Sequence, residues 1–370
     1  MKILITNSTC IQDTYGGAQR AVNEIAYYFS KKGYDVSVLV PDRLSKGSSI
    51  EIINDNYRII RYTYFSGFLK PLNIFTAISK YYKYFQGVNF DIIWGNSPEP
   101  WIFIPKNAKK IIYTVHGPWI LESKLNNNLT YIKKILVKYL YKKIVNKNSI
   151  IHFESNYTYK QCSKETLVFE NSNIIISPVL LDEKLLKTPK YSEFEKYIKI
   201  SNLNILIPRR LVNRTGVLEF LRNCETFPEE VKKKLNIIIV GSGYLENEIK
   251  IQSKKLFFVN FLGAINQNNL DYLYKACDVC CIPSKDAEGF GVSLLEALFR
   301  RTPVIYTRTG GLGEFLNSFL SDFGYQFNNA SDLLSVIKMC LNLKENNKLN
   351  FDIKKIPYQF KKNIELIINK

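Results

Sequence analysis

The sequence predicts an α/β protein built from two doubly wound domains. Three observations carry this. Short apolar runs alternate with stretches of helical apolar spacing, the signature of β-α-β units and parallel sheets. That alternation runs twice, with a charged, Tyr-rich interruption near residues 180–202. The length, 370 residues, suits two domains at roughly 100–200 residues each. A composition of 46% hydrophobic and 23% charged residues is ordinary for a chain that buries a core.

The elements follow in order. Lys2–Thr6 reads as a buried strand, followed by a loop with Gly16 and Gly17. Val22, Ile25, Ala26 and Phe29 place a helix over Ala21–Lys32, ending near Gly33, and Asp35–Pro41 is the next strand. This β-α-β unit implies a right-handed crossover. Tyr57–Arg61, Ile92–Trp94, Ile111–Val115 and Ile150–Glu154 read as further strands. The series restarts with strands at Leu203–Ile207, Asn236–Val240, Leu256–Phe261, Val279–Pro283 and Pro303–Tyr306. Helices read at Gly216–Asn223, Leu270–Lys275, Val292–Phe299 and Ala330–Leu343. The domains are then 1–182 and 203–348, joined by a linker over 183–202. The last stretch, 349–370, has helical spacing and can pack back on the amino-terminal domain. Ligands of such sheets bind beyond the carboxyl ends of the strands. In a paired arrangement this puts the site in the cleft between the domains.

The formal net charge is +18. Such an excess suits nucleic acid, an anionic membrane or a polyanionic substrate, or is simply a solvated basic surface. Seven scattered cysteines, an odd number, do not resemble a secreted disulfide framework. Cys277 and Cys280 have CxxC spacing without a second pair, and read as buried thiols. Met1–Asn7 fits no signal peptide, and no stretch approaches the roughly 20 apolar residues of a membrane span. The expected location is cytoplasmic.

Four segments carry candidate chemistry. Between Glu288 and Glu296 runs Gly-Phe-Gly-Val-Ser-Leu-Leu, a glycine turn entering a helix. Helix amino-termini attract phosphate, whereas the flanking carboxylates are acceptors suited to sugar hydroxyls. Anion-binding amides between two such acids is what a nucleotide-sugar site requires. Arg209, Arg210 and Arg214 follow a strand and precede a helix, where they can neutralise a diphosphate. Alone, such a turn reads rather as a solvated basic turn. Gly16-Gly17-Ala18 lets backbone approach a phosphate, although a plain loop explains it as well, and it is not a dinucleotide fingerprint. Of the two histidines, His116 ends a strand before Gly117-Pro118, whereas His152 lies inside an apolar strand and reads as core.

Together these segments resemble the retaining glycosyltransferases of family 4, which have the GT-B fold: two Rossmann-like domains facing each other across a cleft. The family's Pro-Ser…Glu-Gly-Phe-Gly…Glu-Ala block is similar to Pro283-Ser284, Glu288–Gly291 and Glu296-Ala297. Arg210–Gly216, Gly241-Ser-Gly243, Gly310–Glu314, Gly16–Ala18 and His116-Gly117 match further motifs in order, over residues 2 to about 320. The resemblance implies that Glu288 holds donor-sugar hydroxyls, with the amides of Phe290, Gly291 and Val292 near sugar and phosphate. Glu296 would bind ribose, and Arg210 and Gly17 would meet the diphosphate. His116 would sit near the reacting face of the sugar. Phe261-Leu262-Gly263 is similar to a segment that touches the nucleobase, and Gly241 ends the neighbouring strand. The family's second cation, a Lys, is Thr215 here, so Arg214 or Arg209 would replace it. No cofactor is implied. No metal is demanded, since arginines and a helix terminus can neutralise the leaving diphosphate, and no Asp-x-Asp motif ends a strand. Retention would follow a same-face path in which that diphosphate helps deprotonate the acceptor.

Basic charge clusters in Tyr131–Asn148 and Phe68–Phe85, with aromatic residues interleaved. Ile132, Ile135, Leu136, Tyr139, Leu140 and Ile144 read as one apolar face turned to the sheet, leaving the lysine face for an anionic bilayer. The resemblance then implies a nucleotide-diphosphate-sugar donor and a glycan or lipid-linked glycan acceptor, in bacterial surface polysaccharide (O-antigen, capsule or lipopolysaccharide) synthesis at the inner face of the membrane. Two other readings are a GT-B nucleotide-sugar epimerase and a basic nucleic-acid-binding protein. No nucleic-acid module is present to support the latter.

Overall fold

The computed structural model describes residues 1–370 except 11–15, 44–49, 67–71, 98–107, 126–129, 146–148, 167–168, 170–172, 182–191, 286–287, 320–323, 350–358 and 370. It divides into two compact units. One comprises Met1–Ile120, Leu129–Asp182 and Gln359–Lys370; the other comprises Leu121–Asn128 and Glu183–Tyr358.

The first unit holds β1 (Lys2–Thr6), α1 (Gly17–Lys31), β2 (Asp35–Asp42), β3 (Ile50–Asn54), β4 (Tyr57–Thr63), α2 (Asn73–Phe85), β5 (Phe90–Gly95) and β6 (Ala108–Val115). After α3 (Trp119–Leu125), which straddles the boundary, come α4 (Tyr131–Ile144), β7 (Ser149–Phe153), α5 (Asn156–Thr166) and β8 (Asn173–Ile176). The strand order is β3-β4-β2-β1-β5-β6-β7-β8. All neighbours are parallel except β3 against β4. β3 escapes sequence reading because it is a short, largely exposed edge strand without a buried face. It is tied in by Glu51, whose carboxylate accepts from the buried Arg61 at 2.8 Å.

The second unit holds β9 (Leu203–Pro208), α6 (Val217–Glu225), α7 (Glu229–Lys232), β10 (Leu235–Val240), α8 (Glu246–Lys255), β11 (Val259–Gly263), α9 (Gln267–Ala276) and β12 (Val279–Ile282). It continues through α10 (Val292–Phe299), β13 (Val304–Thr307), α11 (Gly310–Phe319), β14 (Gly324–Phe327) and α12 (Ala330–Glu345); α13 (Phe360–Ile368) belongs to the first unit. The order β11-β10-β9-β12-β13-β14 is parallel throughout. Both units are thus doubly wound, as the sequence predicts. The buried strands read as continuous apolar runs because helices cover both faces, and β9 and β10 are buried at every position. The strand order reverses at β1/β5 in one sheet and at β9/β12 in the other. A doubly wound sheet leaves its crevice for ligands at these points.

One reading of the sequence is corrected. α4 does not turn a single apolar face to the sheet. Val137, Leu140, Tyr141 and Ile144 are buried, whereas Ile132, Ile135, Leu136 and Tyr139 are exposed. At about 100° per residue, Leu140 and Ile144 lie well round the helix from Ile132 and Ile135. The residues taken as one stripe are two. Of the lysines in the two basic stretches, Lys70 and Lys147 lie outside the described residues.

Candidate functional site

The switch point of the second sheet places the turn after β9 beside the turn after β12. Glu288 is central there. It is buried, and its Oε2 meets Arg209 Nη2 in a close ion pair and accepts from Ser284 Oγ at 2.8 Å. Arg209 Nη2 also donates to Ser284 Oγ at 2.8 Å. Arg214 Nη1 stands 3.8 Å from the same Oε2. Burial pushes the Glu288 carboxyl up, but the charges of Arg209 and Arg214 and the two hydrogen bonds outweigh it and hold it below the usual carboxylate range. Each of the Glu288 contacts named here is made by Oε2. Oε1 faces Gly291 and lies 3.7 Å from where a Cβ on that glycine would stand.

The motif at Gly310 acts on Glu288 through backbone. Gly311 N–H donates to Glu288 O at 2.8 Å. Gly310 has φ +60°, and a Cβ there would come within 2.2 Å of the same carbonyl. The positive φ and the close approach both require glycine. Gly241 serves the arginine turn likewise: φ is +139°, and a Cβ would stand 1.9 Å from Arg209 O.

The three arginines divide into two kinds. Arg209 is buried against Glu288 and Ser284, so its charge is already engaged. Arg210 is exposed and Arg214 half-buried. Although Arg210 reaches solvent, partial desolvation by the surrounding protein and then the nearby Arg214 charge lower its pKa, so these two cations face one another's field. Burial alone would depress Arg214, but Glu122 and Glu288 more than reverse this and raise it. Glu122 Oε1 lies 3.8 Å from Arg214 Nη2; it belongs to the short segment that follows β6 yet groups with the second unit. Thr215, where the family resemblance would place a lysine, turns inward. Its hydroxyl contacts the carbonyls of Arg210 and Val212 at 2.7 Å each and shapes the turn.

Gly291, at φ +91°, caps the start of α10, so the Phe290–Val292 backbone lies at a helix amino-terminus. Phe290 itself is buried edge-on against Phe315. Glu296 sits one turn further on, buried, and accepts from Tyr274 OH at 2.8 Å. Arg300 donates to the Glu296 carbonyl at 2.8 Å and pairs with Asp271. Leu262 is half-buried in β11, where the Gly263 carbonyl accepts from Gly241 N–H at 2.8 Å. Among the described residues, no group of three or more His, Cys, Asp or Glu could hold a metal ion.

In the first unit, Gly16 caps α1 and Gly17 opens it. Asn96, beyond β5, donates to Ala18 O at 3.3 Å across the switch point. His116 follows β6, and its Nδ1 lies 2.6 Å from Glu154 Oε1, which follows β7. The register explains the pair: Val115 stands opposite Phe153, so the next residue on each strand is brought side by side. A carboxylate on Nδ1 holds the proton there and sets the tautomer. Sequence reading missed Glu154 because the two residues are 38 positions apart. His152 is a core residue. Its ring contacts Thr114 Oγ1 at 3.2 Å and Ser177 Oγ at 3.0 Å, and burial lowers its pKa to about 3. All seven cysteines are buried, and none is in a disulfide.

The chain was compared with known proteins. Residues 193–355 match the family described as Glycosyl transferases group 1, and residues 15–168 match Glycosyltransferase Family 4. An uncharacterized glycosyltransferase of Methanocaldococcus jannaschii is 24% identical over 388 residues, covering 96% of each chain. The O-antigen chain mannosyltransferase C of Escherichia coli is 22% identical, covering 86% of this chain and 82% of its own. Among solved structures, sucrose-phosphate synthase from Thermosynechococcus elongatus superposes with a TM-score of 0.76 at 16% identity, over 100% of this chain and 94% of that one. WaaG, a glycosyltransferase involved in lipopolysaccharide biosynthesis, superposes at 0.72 and 16% identity over 100% of both chains. HepE of Anabaena, in complex with UDP-glucose, superposes at 0.68 and 18% identity over 99% of both. These structures share the GT-B fold.

Proposed function

We propose that this chain, which belongs to the family-4-like glycosyltransferases of the GT-B fold, moves a sugar from a nucleotide-diphosphate donor to a lipid-linked glycan, with retention of configuration. The observation that carries the reading is Glu288. It is a buried, ionised acceptor beside a helix amino-terminus, with Arg210 and Arg214 close by.

The roles follow from the contacts. Glu288 Oε1 accepts from a donor-sugar hydroxyl while Arg209 and Ser284 fix Oε2. Arg210 and Arg214 neutralise the diphosphate as charge develops on it, assisted by the backbone of Phe290–Val292. The diphosphate displaces Glu122 from Arg214. Glu296 meets the ribose and exchanges part of its bond with Tyr274. Leu262 and Gly241 border the base. The family resemblance assigns Gly16, Gly17 and His116 to the same donor, and Glu154 holds His116 Nδ1. The protein's contribution is positioning and charge stabilisation, and the departing diphosphate takes the acceptor proton.

The biological setting is a surface polysaccharide assembled at the inner face of a bacterial membrane. The Escherichia coli relative is named for O-antigen, and WaaG for lipopolysaccharide. No helix among the described residues is long and apolar enough to cross a membrane. Attachment is therefore proposed as peripheral.

A thermal-shift screen of nucleotide sugars tests the donor half. A cognate donor at 100 times its Kd should add about 2.7 kcal/mol, and Arg210→Ala and Arg214→Ala should each weaken that shift. A chain stabilised by no nucleotide sugar refutes the reading.

A further inference from the structure

α4 has two apolar faces, and only one is covered. Val137, Leu140, Tyr141 and Ile144 pack into the core on the sheet. On the other side, Tyr131, Ile132, Ile135, Leu136 and Tyr139 are 79, 77, 51, 47 and 54% exposed. At 100° per residue these five span roughly 140° of the helix surface. Lys134, Lys138 and Lys142, all exposed, run along one edge of that stripe. Lys133 and Lys143 fall toward its other edge. No acidic residue lies anywhere in α4.

The same helical layer extends the surface. Ala77, Tyr81 and Phe85 of α2 pack into the same cluster as the buried face of α4. α2 therefore covers the same face of the sheet. Its outward side exposes Phe75 and Tyr82, 66 and 57%, one above the other at i and i+7, beside Lys83.

From this we infer that α4 is a membrane-insertion face. Its aliphatic and tyrosine stripe enters the headgroup–acyl boundary of an anionic bilayer, while the flanking lysines engage lipid phosphates. A purely electrostatic surface has no use for five exposed apolar residues, and burial of apolar area is what binds an interfacial helix. The commitment to lipid rests on charge complementarity. Lysines border the stripe, acids are missing from it, and the chain carries +18 overall. Lysine stems can lie along the apolar surface with the ammonium at phosphate level. Tyr131 and Tyr139 are amphipathic and suited to the same depth. This deepens the membrane side of the proposed function; it does not depend on which sugar is moved.

The test uses the full chain and vesicles of phosphatidylcholine with about 30% phosphatidylglycerol, an anionic surface of ordinary strength. Wild type should float with these vesicles at about 0.1 M salt and retain part of its binding at about 0.5 M, where surface electrostatics are screened. The triple variant Ile132→Ser, Ile135→Ser, Leu136→Ser should partition roughly a hundredfold less. The donor-induced thermal shift should not change, which separates this result from failure of the transferase reading. Tyr139→Trp should gain fluorescence that is quenched by brominated acyl chains. Unchanged flotation of the triple variant, or a tryptophan that binds without quenching, overturns the inference. A wild-type dimer that the triple variant makes monomeric, without vesicle binding by either, would assign the face to a second copy and overturn it too.

Discussion

Replacing Glu288 by Gln tests the centre of the site, and the structure sets the size of the effect. Glu288 and Arg209 are 7 and 8% exposed, so the variant leaves a buried guanidinium facing only neutral acceptors, the new amide oxygen and Ser284 Oγ. Removing one member of a buried pair costs about 3–5 kcal/mol. For a unit of about 180 residues, each kcal/mol lowers Tm by roughly 2–4 °C, so the expected fall is about 6–20 °C. An activity assay on the single variant therefore mixes chemistry with stability. The double variant Arg209→Met, Glu288→Leu separates them: with no stranded charge it should recover most of the lost Tm, while transfer stays abolished. The pH dependence has a definite sign. Because the folded carboxyl is held below its ordinary value, the stability it contributes is present above the usual carboxylate pKa. It is lost as pH falls through the lowered one. Calorimetric unfolding of wild type, Arg209→Met, Glu288→Leu and the double variant closes a cycle that gives the coupling directly. A single-variant Tm fall below about 2 °C, with the two losses adding in the double, refutes the pairing argument.

Two further outcomes are expected. Glu154→Gln removes the carboxylate that fixes the His116 tautomer, so kcat should fall roughly tenfold or more with little change in KM, and Glu154→Asp should restore part of it; steady-state kinetics showing equal kcat in all three proteins would count against the pair. His152 remains neutral in the fold down to a pKa of about 3, whereas in the unfolded chain it charges below about 6.5. Stability should therefore decline between those values by up to about 1.4 kcal/mol per pH unit. His152→Gln should remove that part of the slope in urea titrations, and an identical slope in the variant would refute it.

Local pattern made most of the fold legible. Apolar runs flanked by helical spacing marked eleven of the fourteen strands among the described residues, and the missed ones, β3, β8 and β14, are short and incompletely buried. The Glu288–Glu296 block was legible for the same reason, since turn, helix start and acids are contiguous in the chain.

What the sequence alone determined about this protein is therefore its two β-α series and the contiguous turn-and-helix block around Glu288, because both are written in nearest neighbours. Tertiary structure decided the rest. Strand register set His116 beside Glu154, and the β9/β12 switch point set Arg209 rather than Arg210 against Glu288. The packing of one helix against one sheet decided which apolar residues of α4 are core and which face outward. Those outcomes depend on contacts between residues tens of positions apart, which hydrophobic periodicity along a single segment does not encode.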